Sequence, residues 1–522
     1  MAMFATLVKV RGIILMWNED FFLEASLMFL LLVCFGYLSL VWVSKWVLGH
    51  KKTKKFPPGP LPLPIIGHLH LLTGIPHQAL AKLSSKYGGL MGLNLGQQRC
   101  VVVSSPEVAK EFLVKHDKAF ANRPPYGFTS CLFYGQQNDL FFASYGAPWR
   151  RRRKICTLRL FTAKRLQEVE YVRYELVGAL LHKISRLSHD GTVAVDISEC
   201  VGDMSTNLIS RLLYSHERES ERDQGGTDVP QLVKDLEQET VPFIGDFIPW
   251  ISWLDLWRRP RIRYVHRHMD AFITRILTER KEAMMHNNAP TDDLLHEIMK
   301  PSQDEDHSLT MLEVKSIILG MLGGSIHTTA LTLEWAMAEL LKNPHCLTKL
   351  QREIDTVIGC KKKQISDSDI PSLKYLRCVV KEVFRLHPVA PLLLPRISTE
   401  ECKVHDYTLP ANTHLLVNVW AIGRDEGVWK NARNFIPERF EGKDIDLKGQ
   451  HFELLPFGAG RRICMGLPLA LSMVEVTLAN LVNKFDWELP NGVTCETMNM
   501  NEKAGISSNK AAPTIAVPRH RV

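Results

Sequence analysis

The chain has 522 residues, enough to bury a large core, and its 45 % hydrophobic and 23 % charged content is ordinary for a folded globular protein. Its formal net charge is +8, half of it in the first 55 residues, where seven basic side chains face three acids; a basic terminus beside an apolar run suits an anionic membrane surface. No basic stripe interleaved with aromatics occurs elsewhere, which excludes nucleic acid as the partner, and 11 cysteines scattered singly, with no Cys-x-x-Cys pair, exclude a disulfide framework or structural zinc site.

In chain order, residues 1–24 form a lead without a clear role, in which Met16 offers an alternative start. Ala25–Ser44 is a 20-residue stretch without a charge, rich in Leu, Val and Phe. As a helix it spans about 30 Å, the thickness of a bilayer core, so it is predicted to be a single transmembrane anchor. Lys45 and Lys51–Lys55 follow it directly, and the positive-inside rule places everything after residue 45 in the cytosol. Residues 45–64 then form a basic, proline-rich hinge through Phe56-Pro57-Pro58-Gly59-Pro60, Pro62 and Pro64, stiff because proline fixes φ.

From 65 to 522 helical periodicity dominates. Apolar residues recur at three- and four-residue spacing over Leu232–Leu236, Met269–Met285, Leu312–Leu341 and Leu373–Leu386. β-rich pieces appear at Met91–Val103 and Thr413–Val419, and polar breaks at Glu217–Asp228 and His286–Asp293. The expected body is therefore mainly α with a minor β-sheet region, without a βαβ alternation.

The segment Phe457-Gly458-Ala459-Gly460-Arg461-Arg462-Ile463-Cys464-Met465-Gly466 carries the chemistry. Its glycines let backbone approach a flat ligand and leave amides free to point at a sulfur. A thiolate buried in apolar surroundings requires a metal and donors to stabilise it. Arg462 is placed to pair with a carboxylate, and a helix predicted over Leu467–Asn483 directs its N-terminal dipole at the sulfur. A glycine-rich turn with an inert cysteine has the same spacing, and spacing alone does not separate the two.

The segment resembles the cysteine loop of the cytochrome P-450 superfamily, Phe-x-x-Gly-x-Arg-x-Cys-x-Gly, at every fixed position: Phe457, Gly460, Arg462, Cys464 and Gly466. Other family elements follow in order. Glu382 and Arg385 form the Glu-x-x-Arg element, and Pro437-Glu438-Arg439-Phe440 supplies Arg439 to complete a structural triad. Trp149 and Arg153, on one helix face at i,i+4, match the pair that contacts a haem propionate, and Arg396 resembles a further propionate-binding arginine. Arg150, Arg151, Arg152 and Lys154 make that helix unusually basic, a docking surface for an acidic reductase.

The resemblance implies the P-450 fold, haem b with Cys464 as iron ligand, and insertion of one oxygen atom from O2 into a small apolar or phenolic substrate. Electrons come from NADPH through NADPH–cytochrome P-450 reductase at the endoplasmic reticulum membrane. The thiolate favours O–O cleavage. Within Leu312–Leu341 the family's oxygen pocket falls on Gly324–Thr329, with Thr328 matching the proton-relay alcohol. His327 replaces the usual acid and Ser325 the usual glycine. Thr328 and His327 are the catalytic candidates, since an imidazole carries protons near neutral pH. The missing acid keeps an oxygen-independent haem-thiolate isomerase or dehydratase open, and a non-catalytic haem sensor or carrier is the third reading. Met465 stands for the usual proline and alters loop stiffness. The proline hinge and cysteine loop look like plant A-type members, and Gly449–Pro456 is similar to flavonoid-modifying ones such as flavone and isoflavone synthases.

Overall fold

In the computed structural model, residues 28–30, 33, 36, 37, 56–215, 228–286, 293–299, 309–359 and 364–521 are described. The expected anchor, residues 25–44, lies mostly outside them; within it Met28–Leu30, Val33, Gly36 and Tyr37 are helical, with Met28–Leu30, Val33 and Tyr37 exposed. The break expected at Glu217–Asp228 is also outside them, apart from Asp228.

Seven helices position the site: α1 (Ala147–Leu160), α2 (Ile197–Tyr214), α3 (Val229–Glu239), α4 (Arg259–Met285), α5 (Met311–Lys342), α6 (Lys374–Leu386) and α7 (Leu467–Lys484). Local signals mark several of their starts. Thr310 and Glu313 form a reciprocal capping box at α5, with Thr310 N–H donating to Glu313 Oε2 at 2.9 Å and Glu313 N–H to Thr310 Oγ1 at 3.3 Å. Asp196 caps α2 by accepting from Glu199 N–H, and Asp228 caps α3 by accepting from Gln231 N–H. Pro148 sits in the first turn of α1, where a missing amide costs nothing.

The predicted apolar spans fall inside α3, α4 and α5, and nearly coincide with α6 and α7, whose ends differ by one residue. α5 runs through the centre of the body and packs against α2, α3, α4, α6 and α7. It is long and apolar enough to cross a membrane, yet most of its apolar window is buried inside the protein. Trp335 on α5 is fully buried, stacks on His387 at 3.8 Å and donates to the Ser508 carbonyl at 2.7 Å.

The β-rich segment Met91–Val103 folds into two strands because Gly96, at φ 59°, turns the chain between them. Two sheets are built from β1 (Leu90–Leu95), β2 (Gln98–Val103), β3 (Val195–Asp196), β4 (Arg396–Ile397), β5 (His414–Val417), β6 (Phe485–Glu488) and β7 (Ile515–His520). One sheet has the order β1-β2-β5-β4, with β2 and β5 parallel and in register Cys100 to His414. A second has the order β3-β7-β6. Residues Pro57–Val404 and Leu409–Val522 form one compact unit, a mainly helical body with small sheets.

Candidate active site

Between α1, α2, α3, α5 and α7 and the loop leading into α7 lies a cavity of about 370 Å³. Cys464, Arg153, Trp149, Arg396, Arg462, His327 and Thr328 all line it, although up to 315 residues separate them in the chain. Its remaining surface is largely apolar, with Phe133, Phe141, Phe142, Phe161, Phe384 and Phe457 contributing aromatic faces.

The loop before α7 is built to present the sulfur. Cys464 N–H donates to the Phe457 carbonyl at 3.0 Å, closing the loop on itself. Phe457 packs against Phe384 of α6 at 5.1 Å, which fastens the loop's first residue to the core. Gly460 is at φ 69°, and a Cβ there would sit 2.6 Å from the Leu113 carbonyl oxygen and 2.7 Å from Asp117 Oδ1. Only glycine meets both conditions. The Cys464 side chain is enclosed by protein but open to the cavity. Burial pushes its thiol up, opposed by the Gly466 and Leu467 amides at the start of α7 and by the Arg153 charge.

Four arginines crowd one part of the lining. Arg462 donates from Nε to the Ala121 carbonyl at 2.8 Å and from Nη2 to the Ala143 carbonyl, while its buried Nη1 has no partner among the described residues. Its guanidinium lies over the Trp149 ring at 4.1 Å, and burial followed by repulsion from Arg396 and Arg153 brings its pKa down to about 9. Arg396 donates to the Ala459 carbonyl at 2.9 Å and to Asp117 Oδ1 at 3.2 Å. Arg153 donates to the Ile463 carbonyl at 2.6 Å. Arg123 donates to the Leu394 and Pro395 carbonyls at 2.6 and 2.8 Å, and burial, with Arg462 and Arg396 nearby, lowers its pKa well below the ordinary arginine value. Packing this much positive charge into a low-dielectric wall is costly without an acidic ligand. A planar group carrying carboxylates and a metal for the sulfur fits these residues: it would satisfy the orphaned Arg462 Nη1, relieve the repulsion and give Cys464 its partner.

The structure adds detail at two of the expected features. The Trp149 indole N–H donates to the Leu140 carbonyl at 2.9 Å, and its ring lies under the Arg462 guanidinium at 4.1 Å. The basic run does not form one outward face. Arg152 is 2 % exposed and shares Glu313 Oε1 with Arg151 at 2.9 and 2.6 Å, fastening α1 to the start of α5. Arg150 and Lys154 are the exposed members.

His327 and Thr328 are neighbours whose hydrogen bonds lead apart. Thr328 Oγ1 donates to the Gly324 carbonyl one turn back at 2.9 Å. His327 Nε2 lies 2.5 Å from Asn509 Oδ1 and 3.2 Å from Glu237 Oε2 of α3. The adjacent glycines admit close neighbours: a Cβ on Gly323 would be 3.0 Å from Leu236, and one on Gly324 3.1 Å from Phe141.

Glu382, Arg385 and Arg439 meet away from the cavity. Arg385 grips Glu382 bidentately at 2.7 and 2.7 Å, and Arg439 Nε reaches Glu382 Oε1 at 2.9 Å. Arg385 also donates to the carbonyls of Gly423, Ala432 and Asn434, so the triad ties α6 to the irregular segment before the cysteine loop.

Sequence reasoning missed Arg123, Glu237, Asn509 and Ser205. Each is a single polar residue with no spacing signal, and each joins the lining or its support only through the fold.

The cytochrome P-450 family profile matches residues 57–515. Relatives include a flavonoid 3'-monooxygenase of Arabidopsis thaliana, 39 % identical over 493 residues covering 91 % of this chain and 94 % of that one. A flavonoid 3',5'-hydroxylase of Campanula medium is 38 % identical, covering 93 % and 95 %. Among solved structures, a zebra fish cytochrome P-450 with progesterone aligns with TM-score 0.71 and 25 % identity, over 85 % of this chain and 99 % of that one.

Proposed function

This chain belongs to the cytochrome P-450 family, and on that premise we propose that it hydroxylates a flavonoid-type phenolic ring. The chain is a haem-binding P-450 monooxygenase; the substrate, the partner and the residue roles are the proposal. One observation carries the substrate class: the relatives named for flavonoid hydroxylation match over nine-tenths of both chains.

Cys464 would hold the iron, and Arg462, Arg396 and Arg153 the propionates, with the Trp149 ring supporting Arg462. Phe457, Gly460 and Gly466 shape the loop that presents the sulfur. When bound, haem with a thiolate ligand supplies dioxygen activation, one oxygen atom entering the substrate and the other leaving as water with two electrons from NADPH. The aromatic lining excludes water and holds a flat ring. His327 and Thr328 hold and move protons at the cavity wall, His327 through its contact with Glu237. The electrons reach this site from NADPH–cytochrome P-450 reductase docking at the exposed Arg150 and Lys154 on α1. Residues 25–44 anchor the protein in the endoplasmic reticulum membrane, the basic hinge 45–64 keeps the body, residues 65–522, in the cytosol, and the Glu382–Arg385–Arg439 triad braces it.

The test is haem-loaded protein with reductase, NADPH and a flavanone lacking a 3'-hydroxyl, in air and under argon. Product one oxygen atom heavier, formed only in air and with NADPH, is the expected result. Full conversion without oxygen and NADPH would favour the isomerase reading instead. In the same assay His327→Ala is expected to lower product per NADPH and raise peroxide release, and His327→Asp to preserve coupling.

A further inference from the structure

Besides Arg462 Nη1, two polar atoms in the cavity lining have no hydrogen-bond partner among the described residues: Ser205 Oγ on α2 and Glu237 Oε1 on α3. Ser205 is 2 % exposed. Three lining hydroxyls bond the carbonyl one turn back, Thr240 to Leu236, Thr328 to Gly324 and Thr332 to Thr328. Ser205 does not. Glu237 is held from one side only, its Oε2 facing His327 Nε2, which Asn509 Oδ1 braces in turn, and this leaves Oε1 fixed and unused. A buried acceptor left without a donor is destabilising, so such atoms in a native structure call for a partner that arrives later.

We propose that Glu237 and Ser205 form the polar anchor of the substrate chamber and receive phenolic hydroxyl groups, which makes a free hydroxyl a requirement for binding. This rests on the reading of the cavity as the substrate chamber and adds which end of the substrate it recognises. A phenolic hydroxyl that donates its one proton to Glu237 can only accept from Ser205, and one at another ring position can do either, so phenolic hydroxyls suit both atoms, whereas an ammonium group has no lone pair for the Ser205 proton. Arg123, Arg396 and Arg462 in the same lining further disfavour a cationic amine. A carboxylate is repelled by Glu237. The remaining lining, rich in phenylalanine, suits a flat ring with a polar edge. α2 and α3 pack against each other, and both contribute to the cavity lining.

The experiment titrates the haem-loaded protein with a trihydroxyflavanone and with its fully O-methylated ether, reading Kd from the substrate-induced absorbance change. Wild type is expected to bind the free phenol about tenfold or more tightly than the ether, the range of one hydrogen bond to a carboxylate. Glu237→Leu should erase that preference, Glu237→Gln should retain part of it because the amide oxygen still accepts, and Ser205→Ala should reduce it about threefold. Haem content and the reduced carbon monoxide spectrum check that each variant is folded; if Glu237→Leu is not, Glu237→Gln and Ser205→Ala carry the test. Equal Kd for phenol and ether in wild type, or a preference unchanged in the folded variants, overturns the anchor. Oxygen-dependent hydroxylation of the flavanone in that case leaves the proposed function standing. A preference that the variants abolish, with no hydroxylated product, supports the anchor and overturns the flavonoid reading. Binding of neither compound overturns both.

Discussion

Glu382→Gln is nearly isosteric, so its effect reports charge and hydrogen bonding rather than shape. Glu382 is fully buried and accepts from Arg385 twice, from Arg439 Nε and from the Ile436 amide, all within 2.9 Å. A glutamine keeps one oxygen and turns an amide NH2 toward donors on the other side. Two guanidinium groups then lose their counter-charge, although Arg385 retains its bonds to the Gly423, Ala432 and Asn434 carbonyls. Removing one partner of a buried ion pair costs about 3–5 kcal/mol. That is a large share of the roughly 5–15 kcal/mol that holds a typical domain folded. The expected result is a lower urea midpoint, less haem-loaded protein, and faster hydrogen exchange at the Ile436 amide than elsewhere in the body. A midpoint within about 0.5 kcal/mol of wild type, the range of an ordinary surface substitution, would show that the triad does not brace the segment and refute the reasoning.

Cys464→Ser is expected to abolish the far-red absorbance of the reduced carbon monoxide complex that marks a thiolate ligand; a serine variant that keeps it refutes the ligand assignment. Arg150→Glu combined with Lys154→Glu should slow reductase-supported turnover, less so at high salt, and leave peroxide-supported turnover intact, since these side chains are exposed. Equal losses in both assays would place the damage in the pocket, and Arg152→Glu should give that outcome because Arg152 is buried on Glu313. Burial on α7 pushes the Glu475 carboxyl up to about 7, with Arg377 and Lys381 pulling it part of the way back. The folded state therefore binds more protons than the unfolded one between about pH 4.5 and 7, so stability falls as pH rises through that window and levels above it. Glu475→Gln should flatten that part of the urea midpoint–pH curve, and an unchanged slope would assign it to other groups.

The sequence by itself determined what depends on local order. Apolar periodicity outlined α5, α6 and α7, because a helix must bury a stripe repeating at its own pitch. The glycines, arginine and cysteine of residues 457–466 marked the sulfur's setting, because one short loop supplies both the ligand and the amides that face it. The tertiary structure decided everything that needs two distant segments. Glu382 and Arg385 at i,i+3 read in isolation as a solvated pair, and only the chain returning at Gly423–Arg439 buries them. The arginines of α1 share one sequence run, yet Glu313 of α5 determines that Arg152 turns inward while Arg150 stays out. His327 reads as a lone substitution until α3 brings Glu237 beside it and the C-terminal segment brings Asn509. Short-range spacing fixes which residues share a face. Burial and partnership depend on what packs against that face, and for His327 one partner comes from 182 residues away.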